Sequence, residues 1–298
     1  MDILKNCTLC PRNCGVDRTK TVGFCGATNH TKVARAALHF WEEPCISGTN
    51  GSGTVFFSGC NLACRYCQNY DISIGGFGKE ITVKQLADIF VNLQNDGAHN
   101  INLVTPTPYL PQIIEAIDLV REKIQIPFVA NLGGYEKPET IQMLKGYIDI
   151  FLTDVKYQSA EIAEKYSSAP DYFRFAMDSL AQMISLCGAP KLDENGIMQS
   201  GVIVRHLVLP GCRKDSFEVI KRLAESFGTE DFILSLMSQY TPNGHLEDYP
   251  EINRRITSLE YHCVTDMALE LGFTNAYMQQ KSSAKEEYTP PFDLTGVR

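Results

Sequence analysis

From about residue 54 onward the chain repeats one pattern, a short run of apolar, largely β-branched residues followed by a longer stretch with helical spacing. The runs fall at residues 54–57, 101–104, 128–130, 148–152, 202–209 and 232–236. Most are continuous rather than alternating, as strands buried on both faces must be. A strand that recurs after each helix builds a parallel sheet. The first helix opens on the capping box Thr82-Val83-Lys84-Gln85, carries Val83, Leu86, Phe90 and Leu93 at helical spacing, and meets Gly97 as a terminator. The second sets Ile113, Ile114, Ile117 and Val120 on one face. Six βα units fall short of the eight that close a full barrel. The expected fold is therefore α/β, a partial (β/α)6 TIM-type barrel with a lateral opening.

Residues 50–280 carry this pattern, with a last helix over roughly residues 252–271. Residues 1–49 have few apolar runs and contain Cys7, Cys10, Cys14 and Cys25, so they are expected to form a small Cys-rich metal-binding segment. Residues 281–298 form a tail that is polar, then Pro-rich through Pro290-Pro291-Phe292-Asp293-Leu294; a wrapping segment and a frayed terminus both fit it.

Composition narrows the function. The 298 residues are 44% hydrophobic and 21% charged, ordinary for a globular protein that buries its own core. No apolar stretch reaches the roughly 18 residues of a membrane span, and the start lacks the apolar region of a signal peptide. The protein is therefore expected in the cytoplasm, with no membrane partner. A net charge of −8 without any Lys/Arg run argues against a nucleic acid partner. Of the eleven cysteines, seven stand in two tight clusters, which favours metal or cluster binding over disulfides.

The second cluster follows the first strand directly: Ser58-Gly59-Cys60-Asn61-Leu62-Ala63-Cys64-Arg65-Tyr66-Cys67. A cubane takes one thiolate per iron, so Cys60, Cys64 and Cys67 with no fourth cysteine nearby leave one iron open for a cosubstrate. The carboxyl end of a barrel strand is where active sites of such folds sit. The spacing, with Tyr66 ahead of the last cysteine, resembles the C-x3-C-x-aromatic-C signature of the radical S-adenosylmethionine (radical SAM) superfamily. The resemblance implies a [4Fe–4S] cluster whose free iron chelates S-adenosylmethionine, with Tyr66 beside the adenine. It implies reductive cleavage to a 5′-deoxyadenosyl radical that abstracts hydrogen from substrate, an oxidoreductase chemistry fed by an electron donor such as flavodoxin or ferredoxin.

Thr153-Asp154-Val155-Lys156 is similar to the Asp-x-Lys motif of the pyruvate formate-lyase-activating branch, where the lysine contacts the cosubstrate and the aspartate helps hold a monovalent cation. Arg205, in a segment similar to the branch's Arg-x-x-x-x-Pro-Gly strand, is expected to face the interior and reach the cosubstrate. His206 is then expected to point outward as a packing residue. Thr105 and Thr107 stand where many members carry Gly-Gly-Glu, so Thr105 is the candidate contact there. Asn131, before Gly133-Gly134, is a candidate neighbour of the ribose or the cation. Gln239 and Tyr240 end the sixth strand as candidate substrate or packing residues. Cys212, after Pro210-Gly211, is a candidate hydrogen donor or metal ligand, whereas Cys187 and Cys263 read as packed thiols.

Cys7, Cys10, Cys14 and Cys25 have the spacing C-x2-C-x3-C-x10-C. Four thiolates close a tetrahedral Zn or Fe site or hold an auxiliary iron–sulfur cluster, and spacing does not choose between them; Cys45 is a candidate extra ligand. The phrase Cys-x-Leu-Cys-Pro-Arg-x-Cys and the run from Trp41 to Gly48 resemble a pyruvate formate-lyase-activating-enzyme-like (PflX-like) group. By that analogy the substrate is a glycine Cα–H of a partner protein. Rival readings are radical modification of a small molecule or peptide and, from another class, a non-catalytic iron–sulfur electron-transfer protein.

Overall fold

A computed structural model describes residues 2–279 and 289–297. In chain order its elements are β1 (Thr31–His39), α1 (Pro44–Ser47), β2 (Ser52–Phe57), α2 (Tyr70–Ser73), β3 (Lys79–Ile81), α3 (Val83–Asn95), β4 (Ile101–Val104), α4 (Leu110–Val120), β5 (Phe128–Leu132), α5 (Pro138–Gln142), β6 (Ile150–Asp154), α6 (Ala160–Ser167), α7 (Tyr172–Cys187), β7 (Lys191–Leu192), β8 (Met198–Leu207), α8 (Arg213–Ser226), β9 (Ile233–Met237), α9 (Ser258–Glu270) and β10 (Ala276–Met278).

The main sheet runs β10-β9-β8-β6-β5-β4-β2-β1-β3. Every neighbouring pair from β2 to β10 is parallel, while β1 runs antiparallel to β2 and to β3. The six expected strands are all present. α3 begins at its capping box, with Thr82 and Gln85 bonded reciprocally, and buries Leu86, Phe90 and Leu93. α4 buries Ile113, Ile117 and Val120. β2, β4, β6 and β9 are almost wholly buried, because helices cover the outer face and the barrel interior fills the inner one.

Three differences matter. The parallel array has a seventh strand, β10, only three residues long. The sheet also begins before the boundary expected between residues 49 and 50: β1 pairs along β2 from Val33↔Phe57 to His39↔Ser52. Ala and charged residues dilute its apolar signal, but a partner strand supplies the missing backbone bonds. Finally, α9 starts at Ser258 rather than near residue 252, because Thr257 and Glu260 form its capping box.

Of the tail, residues 281–288 and 298 lie outside the described residues. Residues 289–297 run along β1: Ala36 N–H donates to Thr295 O at 2.8 Å, Leu294 N–H to Ala34 O at 3.0 Å, and Arg35 pairs with Asp293 at 2.8 Å. Phe292 packs edge-on against Phe56 and joins a small core with Ala34, Ile72 and Val104.

Candidate active site

A cavity of about 440 Å³ opens at the carboxyl ends of the parallel strands. One wall is the cysteine loop, which leaves β2 at Phe57. Gly59 takes φ +90°, and a Cβ there would meet Cys25 O at 2.4 Å, so only glycine lets the amino-terminal segment close onto the loop. Cys60, Cys64 and Cys67 all line the cavity. Burial, then the neighbouring thiols Cys64 and Cys67, push Cys60 up to about 12; burial and Cys64 also raise Cys67. The three thiols, Cys64 buried and Cys60 and Cys67 half-buried, thus line one cavity where a cationic metal centre would stabilise their charged forms. Donors already point at the sulfurs: Leu62 N–H at 3.4 Å from Cys60 Sγ and the Ser167 hydroxyl at 3.0 Å from Cys64 Sγ. Among the described residues no set of three or more His, Cys, Asp or Glu is arranged around a single ion. A cubane does not require that, since each thiolate binds a different iron.

Tyr66 is buried, its hydroxyl 2.6 Å from that of Tyr157, and Tyr157 lies 2.8 Å from the Ser167 hydroxyl. Asp154 and Lys156, which also line the cavity, form an ion pair at the end of β6. Burial opposes the ammonium, but Asp154 and Cys64 outweigh it and raise the Lys156 pKa. Thr105 caps β4 with φ +59°, a strained backbone for a β-branched residue, and donates its N–H to Asn131 O at 2.9 Å. Gly134 is required behind this wall, because a Cβ there would lie 2.0 Å from Asp154 O.

The cavity floor comes from a part of the chain that sequence reasoning did not assign to the site. β1 ends opposite the start of β2, so the residues after His39 enter from the amino ends of the parallel strands. Glu42 and Glu43 there meet Arg205, whose guanidinium bonds Glu42 and contacts Glu43 at 2.7 and 2.6 Å. Glu42 also accepts from Asn102 Nδ2 at 3.2 Å and from Asn131 Nδ2 at 3.5 Å. Arg205 faces inward as expected, but its Nε and Nη2 are already engaged by carboxylates, and Nη1 lies 3.5 Å from Asn131 Oδ1. Glu42, Glu43 and Asp154 together set three carboxylates against the two cations Lys156 and Arg205. The available signal was the adjacent acidic pair in an otherwise apolar stretch.

Other expected residues fall elsewhere. His206 is buried with Nδ1 2.7 Å from Val155 O, and burial lowers it to about 4, a neutral packing histidine. Its alternation does not place it at the surface, because helices cover that face. Cys212 precedes α8 and does not line the cavity; burial raises it to about 11. Gln239 lines the cavity, whereas Tyr240 packs on Tyr66 with its hydroxyl on Ile252 O. Cys45 is buried near Tyr277. Thr107 turns away to donate to Glu136 at 2.9 Å.

The amino-terminal cysteines are gathered by backbone pairing. Cys7 N–H donates to Val16 O at 3.0 Å, Gly15 N–H to Cys7 O at 2.9 Å, and Phe24 N–H to Cys14 Sγ at 3.4 Å. Cys10 is raised to about 12, by burial first and then by Cys25, Cys14 and Cys7.

The sequence profile of the radical SAM superfamily matches residues 54–186, the stretch that carries the cysteine loop and Asp154–Lys156. The chain belongs to the radical SAM superfamily. An uncharacterised protein of Methanocaldococcus jannaschii is 32% identical over 284 residues, covering 91% of this chain and 75% of that relative. Among solved structures, the FeFe-hydrogenase maturase HydG from Carboxydothermus hydrogenoformans shares the fold at a TM-score of 0.50 and 14% identity, over 76% of this chain and 53% of that one. SuiB of Streptococcus suis, solved bound to S-adenosylmethionine, aligns at a TM-score of 0.47 and 13% identity, over 74% of this chain and 48% of that one. The chain thus spans about half the length of these solved structures. As a radical SAM protein it is an enzyme of that class, which implies a [4Fe–4S] cluster and S-adenosylmethionine and sets aside a simple electron carrier.

Proposed function

We propose that Cys60, Cys64 and Cys67 hold the cluster and that S-adenosylmethionine lies between them and the Asp154–Lys156 pair. The observation that carries this is that three thiols, Cys64 buried and Cys60 and Cys67 half-buried, line one cavity together with a protonated lysine. A [4Fe–4S] cluster bound there supplies the electron that cleaves the sulfonium and yields a 5′-deoxyadenosyl radical. In this reading Lys156 binds the cosubstrate carboxylate while Asp154 keeps the lysine oriented and helps hold a monovalent cation. Thr105 and Asn131 offer backbone and side-chain oxygens to the amino group and ribose. Tyr66 closes the adenine side, and buried aromatic rings around it exclude water.

Anaerobic reconstitution with S-adenosylmethionine and a strong reductant tests this. The wild type yields 5′-deoxyadenosine and Cys64→Ala yields none; a wild type with a full cluster and no 5′-deoxyadenosine sinks the reading.

For the substrate, the PflX-like resemblance supports an activase acting on a glycine of a partner protein, with flavodoxin or ferredoxin as donor. One observation favours the second reading, a small molecule or peptide segment. Thr289 and Trp41 both line the cavity, so segments far apart in the sequence share its lining, which suits an occupant that fits inside it. The amino-terminal cysteines complete the proposal as a second metal centre, checked by metal analysis of a Cys60/Cys64/Cys67 triple alanine variant.

A further inference from the structure

The cysteine loop is joined to two other parts of the chain at one buried point. α6 ends there. Tyr166 O accepts Arg65 N–H at 2.9 Å, and the Ser167 hydroxyl reaches Cys64 Sγ. A helix end leaves carbonyls without intrahelical partners. Arg12, between Cys10 and Cys14, satisfies them: its guanidinium donates to Ser168 O, to Ser167 O at 2.9 Å and, through Nε, to Asn61 O at 2.8 Å. Phe24 covers one face of it at 3.8 Å, and Tyr135 lies 5.1 Å away. A cation at this position also complements the negative end of the helix dipole. One side chain therefore fixes the end of α6 against the loop.

The direction of the hydroxyl chain follows from its terminus. A thiolate ligand only accepts, so Ser167 donates its one hydrogen to Cys64. Ser167 must then accept from Tyr157, and Tyr157 from Tyr66. Every hydroxyl in the series has its proton committed toward the sulfur.

We propose that Ser167, aimed by Arg12, sets the reduction potential of the cluster. This rests on the assignment of Cys60, Cys64 and Cys67 as its ligands. A hydrogen bond donated to a ligand sulfur stabilises the reduced, more negative cluster and so raises its potential. Arg12 acts as a positioning residue, and it does so from the middle of the amino-terminal cysteine unit, which ties the geometry of that unit to the electronics of the other.

The test is a redox titration of the full-length, anaerobically reconstituted protein without S-adenosylmethionine, read by electron paramagnetic resonance. Ser167→Ala has a more negative midpoint than wild type at equal iron and sulfide content. Ser167→Thr keeps the hydroxyl and stays at the wild-type midpoint, and Arg12→Ala moves in the same direction as Ser167→Ala. Tyr157→Phe keeps Ser167 and the three cysteines but removes the donor behind Ser167, together with the partner of the Tyr66 hydroxyl, and gives a smaller shift of the same sign. Ser167→Ala and Tyr157→Phe clusters that both titrate with the wild type overturn the proposal. A wild-type protein that assembles no cluster defeats the ligand assignment instead, a different result.

Discussion

Arg205 sits where an arginine in an apolar strand is hardest to keep, and its two carboxylate partners explain why it is tolerated. Burial disfavours the guanidinium, while Glu43 and Glu42 outweigh that and raise its pKa. Removing one member of such a buried set strands the others. Arg205→Ala is expected to lose about 3–5 kcal/mol in urea unfolding, with Glu42→Gln and Glu43→Gln added in the same chain recovering most of it. Glu136 is the opposite case. It is 1% exposed, its Oε1 accepts from Thr107, and Oε2 has no hydrogen-bond partner. Burial raises it to about 7. A carboxyl whose folded pKa lies above its unfolded value adds stability at low pH that is lost as pH rises through the folded value. Glu136→Gln should therefore gain on wild type between about pH 5 and 8, by roughly 3 kcal/mol; melting curves that stay parallel across that range would refute it. Arg205 was legible in the sequence as an interior residue, but Glu42, Glu43 and Glu136 were not, because each owes its role to partners far along the chain.

Elements with a complete local signal were legible. The capping box at Thr82, the apolar face of α3 and the six buried strands are written in consecutive residues, so their positions followed from spacing. Thr82→Ala is expected to cost about 1 kcal/mol, measurable as a shift in the urea midpoint without a change in slope. The cysteine loop was legible for the same reason, three ligand types within one turn-rich segment. β1 and β10 were not. β1 carries Lys32, Arg35 and four alanines or threonines among its nine residues, and β10 is three residues long. Such strands exist because the sheet offers them an edge, and the edge is a property of the other strands. The same holds for Ser167, whose hydroxyl matters only because α6 ends at the loop.

At the scale of the molecule, residues from before β2 and residue Thr289 of the carboxyl-terminal segment line the same cavity. Residues before β2 build the cavity floor, and residues 289–297 lie along β1 with Phe292 on Phe56. Deleting residues 289–298 exposes the small core of Ala34, Phe56, Ile72 and Val104. A loss of about 2–3 kcal/mol and new binding of a hydrophobic dye are expected; an unchanged melting temperature would contradict the packing. Among the described residues no helix is long and apolar enough to cross a membrane. The acidic floor also carries a consequence for assembly. Glu43 and Arg205 are 162 residues apart in sequence. Loop closure over that span is slow to be rewarded, and until β8 arrives the two carboxylates repel each other and hold water where the interior must form. The barrel therefore cannot close dry around its amino-terminal half alone, and refolding is expected to quicken when Glu42→Gln removes one of the two charges that wait.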